Sequence, residues 1–456
     1  MSGESVPHRH TAVLAASEAG LVSQRLGGRG EKLLRFARSA RRQGFSAVGP
    51  ISVSGAHFIA SLMLLRWLPT ADFGAFSFVL VACGLCLGLT NALVGAPVSS
   101  LAHADSSETS VGLESYAKAT LGLAVLLGAA VFGLMTFAGA SFSAAIAFAA
   151  FGATMSLRQF ARIWAYTLGR RRIVVAADAV YSVSLLLGLL ALLVAHALSL
   201  ATSALALFGA AVLALAAFGA PLIALFRAGL ARGRLNAYVH AWRDMTRWSL
   251  IGVVTTEFTI NAHAWLVTFV CGSRAFALLA VGALFMRPFA LIATAVPDQE
   301  RPAMARSIAA GDKEKALKLG REFLAVMGGV WLVTLAFAGI ALASFPSLVV
   351  KHGYSRNDVL VVVLLWALIS AVRGVRARDA VLLQAARAFR PLADASTASC
   401  IISVVATLSL LLAFGPVASL AGILAGDIAM LAMIMRAVGR WKTGPTPCGG
   451  LAPGQI

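Results

Sequence analysis

Twelve predominantly apolar stretches, most of them some twenty residues long, follow one another along this chain, and they leave it few ways to fold. A helix needs roughly 20 apolar residues to cross the hydrocarbon of a bilayer. Inside lipid, each backbone polar group must find its partner within the segment or in a closed barrel. The runs are read at 48–66, 74–99, 117–138, 142–166, 173–196, 200–226, 249–270, 275–296, 323–346, 358–382, 394–414 and 416–438. Their lengths suit membrane-spanning helices. Composition agrees: 59% of the 456 residues are hydrophobic and 12% charged, against about 45–50% and about 25% in soluble chains. An all-α polytopic membrane protein of about twelve spans is expected. The cysteines are odd in number, and Cys83-x-x-Cys86 lies within an apolar run. We read that pair as packing, and no disulfide framework is implied.

A net charge of +19 raises nucleic acid as a partner, but the distribution of the charge argues for the membrane. With the N-terminus inside, 33 of the 38 Lys/Arg fall in or beside segments on the side of the termini, four on the other side, and Arg287 within a span. The positive-inside rule then makes both termini cytosolic. Arg170, Arg171 and Arg172 form the turn between spans four and five, where they fix topology and meet anionic headgroups. Residues 1–47 are read as a basic cytosolic segment without a signal peptide, since Thr11 to Ala19 is too short for its apolar core. Within it, Glu31 to Gln43 reads either as a surface helix or as a solvated tail. Residues 227–248 are expected to form an interfacial linker helix between lobes at 48–226 and 249–438, and 439–456 a cytosolic tail.

An internal repeat supports that division. A shift of 200 residues sets His57-Phe58 on Glu257-Phe258, Ser61 on Asn261, Gly74-Ala75-Phe76 on Arg274-Ala275-Phe276, and Pro97 on Pro297. A shift of 216 sets Arg162 on Arg378, Arg171 on Arg387, and Ala177-Asp178-Ala179 on Ala393-Asp394-Ala395. Six spans per half is an even number, so both halves enter from the same side. The lobes are then related by a pseudo-two-fold along the membrane normal, and a route lies between them.

Ionisable residues inside spans are costly and face a cavity or one another. Arg287, ahead of the helix-bending Pro288, lies twelve residues into span eight, roughly 18 Å deep at 1.5 Å per residue. It lines a cavity or pairs with Glu257. Arg158 and Arg162 share a face of span four by their i, i+4 spacing, and Arg373, Arg376 and Arg378 occupy the corresponding part of span ten. These either reach back to the surface or form a basic vestibule. Ser54, His57 and Ser61 form a polar stripe on span one. Glu257 and Asn261, extended by Thr256, Thr259 and His263, form its counterpart on span seven, and we read both as cavity walls. Asp178 and Asp394, each behind a basic turn, are read as structural fasteners to nearby arginines, and Pro97 and Pro297 as matched structural positions.

With those residues in view, the chain resembles the Wzx-type polysaccharide flippases of the MOP exporter superfamily, from about residue 45 onward. Leu64 to Gly74 (LLRWLPTADFG) is similar to that family's joint after its first helix, and Arg301 to Phe323 to its basic loop after the eighth. Lys351-His352-Gly353-Tyr354 stands at its FGxxY turn, and Arg387 to Ala429 follows its closing helices. The resemblance implies a transporter that flips an undecaprenyl-diphosphate-linked oligosaccharide across a bacterial inner membrane by alternating access. The implied partners are that cargo, membrane lipids and a polysaccharide polymerase machinery, with the transporter itself a monomer. It carries no cofactor and couples to a proton or sodium gradient or to the membrane potential.

The alternative is a multidrug exporter of the same fold, which would want an acid in the first-half cavity. No acid lies within the first four spans, Asp72 being at a joint. An enzyme would want a catalytic cluster. His103, Asp105 and Glu108 form the one loop group that resembles a metal site, and they read as a solvated loop. The expectation is a transporter with no catalytic residue and no metal.

Overall fold

The computed structural model describes residues 49–443 apart from 96, 99–105, 243–245, 345–353 and 387. The basic segment 1–47, residues 444–456 of the tail, His103, Asp105, Lys351 to Gly353 and Arg387 lie outside the described residues. Among those described, every regular element is a helix. They are α1 (49–67), α2 (Thr70–Thr90, running into a π turn at Asn91–Gly95), α3 (Ser106–Phe137), α4 (Phe142–Thr167), α5 (Arg171–Val194), α6 (Leu200–Ala216) and α7 (Ala220–Arg232). There follow α8 (Leu235–Ala241), α9 (Arg247–Cys271), α10 (Ser273–Phe285), α11 (Arg287–Ala309), α12 (Lys313–Ser344), α13 (Arg356–Ala385), α14 (Phe389–Phe414) and α15 (Ser419–Thr443). From Ile51 onward they form one unit.

By length and composition eight helices can cross a membrane, or ten spans result if each of two bent pairs counts as one. The remaining two apolar runs are helical in α1 and α4, which carry His57 and the pair Arg158 and Arg162, and they fall outside that count. Eight to ten spans is therefore what length and composition give, against the twelve expected.

Both bends have local causes. The run 200–226 is not one straight span: α6 ends at Ala216 and α7 leaves it at 93°. Gly219 takes φ 74°, a conformation that glycine adopts without a Cβ penalty. Pro221 then opens α7, where its missing N–H costs nothing. Beyond the bend the chain docks on α3. Arg232 pairs with Glu114 at 2.6 Å, and Lys118 Nζ donates to the Gly233 carbonyl at 3.2 Å. From α8, Tyr238 donates its hydroxyl to the Leu93 carbonyl at 2.9 Å. Segment 227–248 thus runs through the end of α7, a break at 233–234, α8 and the start of α9. The second bend, 60°, separates α10 from α11. Pro288 is the second residue of α11, and a proline ring clashes with the carbonyl four residues back, so the helix restarts there.

Packing within the lobes uses small residues. Gly422 and Gly426 bring α15 against α14 so closely that an added Cβ would lie 2.3 Å from the Thr407 nitrogen and 2.3 Å from Ser403 Oγ. Lipid tails are as apolar as leucine, so such close approach, not hydrophobicity, drives helix association in a bilayer. The lobes meet where α2 packs on α9 and α10. Phe78 lies edge-on to Trp265 at 5.2 Å and to Phe276 at 6.4 Å. At this seam a Cβ on Gly74 would fall 1.9 Å from the Ser273 carbonyl oxygen.

Candidate functional site

A cavity of about 530 Å³ lies between the lobes, walled by α1 and α2 on one side and by α9, α10, α11 and α13 on the other. Ser61, Ser77, Asn261, His263 and Ser370 give it polar surface, and Arg287, Arg373 and Arg376 are its charged residues. Phe73, Phe276, Phe289 and Trp366 supply aromatic wall.

Arg287 owes its position to the break at Pro288. It is the first residue of α11, so its guanidinium and the free N–H groups of a helix start belong to the same end of the helix. A helix N-terminus carries roughly half a positive charge and favours anions. Arg287 is largely buried, with no ion pair and no hydrogen bond among the described residues. Glu257, which the sequence offered as its partner, instead accepts hydrogen bonds from Asn261 at 3.1 Å and Trp265 at 3.3 Å, both on its own helix. The expected alternative of an Arg287–Glu257 bridge is not formed.

The other two cavity arginines are held from behind. Asp427, on α15 and fully buried, accepts from Arg373 Nε at 2.8 Å and from Arg376 at 2.7 Å. Two of the three cavity guanidiniums thus share one carboxylate, and Arg287 has none among the described residues. Sequence reasoning passed over Asp427, although the signal was present: an acid in the middle of the apolar run GILAGDIAML cannot stay unpaired in lipid. Asp394, matched to Asp178 by the repeat, is exposed and has no ion pair among the described residues. The fastening acid of the second lobe comes from α15, not from the start of α14.

In the first lobe Asp178, fully buried on α5, accepts from Arg158 at 2.5 Å and from Arg162. Arg158 also lies over the Tyr181 ring, 4.4 Å from its centroid. Tyr181 and His57 Nε2 share a hydrogen bond of 3.0 Å, and Ser182 reaches Ser52 at 3.3 Å, so α5 is tied to both α4 and α1. Arg158, Arg162, His57, Glu257 and Ser54 do not line the central cavity; Ser61, Asn261, His263, Arg287 and Arg373 do. Arg378 forms a two-point pair with its neighbour Asp379, both bonds 2.8 Å, beside a separate recess. Pro97 is buried just past the π turn, whereas Pro297 stands inside α11. Cys83 and Cys86 are buried on α2 without a disulfide.

No family model and no curated protein matches the sequence. Solved structures do match in fold. Lipid II flippase MurJ in an inward closed conformation aligns over 88% of this chain and 88% of its own, with TM-score 0.63 and 11% identity. An inward-facing multidrug resistance MATE family transporter of the MOP superfamily aligns over 88% of this chain and 100% of its own, with TM-score 0.59 and 12% identity. A MOP superfamily transporter from Pyrococcus furiosus, described by a reversed polarity of its binding pocket, aligns over 88% and 95%, with TM-score 0.54 and 13% identity. The chain is a multi-pass membrane protein with the fold of the MOP-superfamily transporters. The solved structures that it resembles are transporters and flippases.

Proposed function

We propose that the chain is a flippase for an oligosaccharide carried on undecaprenyl diphosphate, working in a bacterial inner membrane with both termini cytosolic. The observation that carries this reading is Arg287, an unpaired guanidinium at a helix start on the wall of the cavity between the lobes. Discontinuous helices in transporters commonly turn such N-termini toward anionic groups of their cargo. A guanidinium offers a diphosphate bidentate, charge-assisted hydrogen bonds. Ser61, Ser77 and Asn261 suit a hydrated glycan, and His263 with Trp366 offers stacking surface. Coupling to a proton or sodium gradient or to the membrane potential supplies the drive, and a polysaccharide polymerase machinery receives the product.

Export of organic cations by the same fold is the competing reading. Such a cargo would meet three guanidiniums and one carboxylate already engaged by two of them. Reconstitution in liposomes tests the proposal directly. The protein should translocate a fluorescent undecaprenyl-diphosphate oligosaccharide, and Arg287→Ala should slow that by on the order of tenfold or more, the worth of a charged hydrogen bond. Full transport by Arg287→Ala removes this residue from the cargo site. Efflux of an organic cation with no movement of the lipid-linked sugar overturns the reading.

A further inference from the structure

A second recess, about 690 Å³, opens where α14 begins and α15 ends, and it shares no residue with the central cavity. Arg390, Arg436 and Arg440 line it with Asp394, Trp441 and Leu383. None of the three arginines is in an ion pair among the described residues. Lys313 adds a further cation, its Nζ lying 5.4 Å from the Trp441 ring centroid.

The outer face of α14 runs straight into this recess. Arg390, Asp394, Thr397, Ile401, Val405, Leu408 and Leu412 recur at three- and four-residue steps and so share one side of the helix. Ile401, Val405 and Leu412 are 61%, 59% and 68% exposed, as side chains that face lipid tails are. Eleven residues separate Arg390 from Ile401, roughly 16 Å of helix. An aliphatic stripe that ends in a cluster of guanidiniums beside a tryptophan matches one kind of molecule: acyl chains joined to a phosphate.

We propose that this recess binds the headgroup of an anionic phospholipid, with its acyl chains laid along the Ile401–Leu412 stripe. The guanidiniums hold the phosphate through charge-assisted hydrogen bonds. Trp441 takes the interfacial position that its amphipathic ring favours. Asp394 accepts from the hydroxyls of a headgroup such as phosphatidylglycerol. The site stands apart from the flippase reading and holds whichever cargo the central cavity carries.

Native mass spectrometry of the full chain in detergent, with phosphatidylglycerol or phosphatidylcholine added, tests it. Wild type should retain phosphatidylglycerol over phosphatidylcholine. Replacing Arg390, Arg436 and Arg440 with glutamine should weaken retention by roughly fivefold per arginine. The corresponding lysine variants should keep most of it. Where the triple variant does not fold, the three single Arg→Gln variants carry the test through their graded loss. Equal retention of both lipids, undiminished retention by the glutamine variants, or displacement of the lipid by millimolar inorganic phosphate overturns the proposal; the last would mark a site for soluble anions.

Discussion

Arg373 and Asp427 are joined across α13 and α15 by a hydrogen bond of 2.8 Å, with the aspartate wholly excluded from solvent. Arg376 takes the other oxygen at 2.7 Å. Removing one member of a buried ion pair strands the other and typically costs about 3–5 kcal/mol. Asp427→Asn should therefore lower the thermal midpoint in detergent and the amount of protein inserted. An unchanged midpoint would show that the two arginines find water without it.

Asp178 and Asp394 should behave differently although the repeat pairs them. Asp178 is buried between Arg158 and Arg162, so Asp178→Asn should destabilise by about 3 kcal/mol. Asp394 is exposed, and Asp394→Asn should change stability by no more than about 0.5 kcal/mol. Thermal unfolding of the two variants side by side decides the matter. Equal losses would contradict the burial difference.

Arg287 and Glu257 should be energetically independent. Glu257 is engaged by Asn261 and Trp265, so Glu257→Gln should not restore transport or stability to Arg287→Ala. The double-mutant coupling should stay within about 0.5 kcal/mol, as for sites with no shared partner. Rescue would mean that the two are coupled, against this geometry. Arg287→Lys should recover only part of the activity, because a point charge lacks the fork geometry of a guanidinium.

Gly74 marks the seam between the lobes, where no Cβ fits against the Ser273 carbonyl. Gly74→Val should therefore force α2 and α10 apart. A cysteine at Ser77, on the cavity wall, introduced into a chain whose native cysteines are changed to serine, should then react faster with a water-soluble maleimide. Unchanged labelling would mean that the seam repacks around the added methyls.

Much of this architecture was legible in the sequence because the membrane permits so few alternatives. Apolar runs became helices, Pro288 marked the break that sets Arg287 at a helix start, and the stripes on spans one and seven delivered Ser61, Asn261 and His263 to one cavity. What sequence spacing does not encode is azimuth. The i, i+4 relation of Arg158 and Arg162 says that they share a face, and only tertiary packing decides that the face meets Asp178. The same blindness misplaced the second fastening acid, since a shift of 216 residues aligns Asp394 but cannot show that α15 brings Asp427 closer. The right-angle turn at Gly219 had its signals in Gly219 and Pro221, but the apolar run carries on past both of them.

The uneven charge of the central cavity has a consequence for the proposed flippase. With one carboxylate among three guanidiniums, the cavity carries two positive charges without a counterion among the described residues. Occluding them dry would strand both in a low-dielectric interior, a penalty of several kcal/mol for each ion. Under the proposed flippase reading, a headgroup bearing two negative charges would remove that penalty and let the cavity close over an electroneutral filling. On that reading, electrostatics alone would then suppress futile cycling and make the protein a strict carrier instead of a leak.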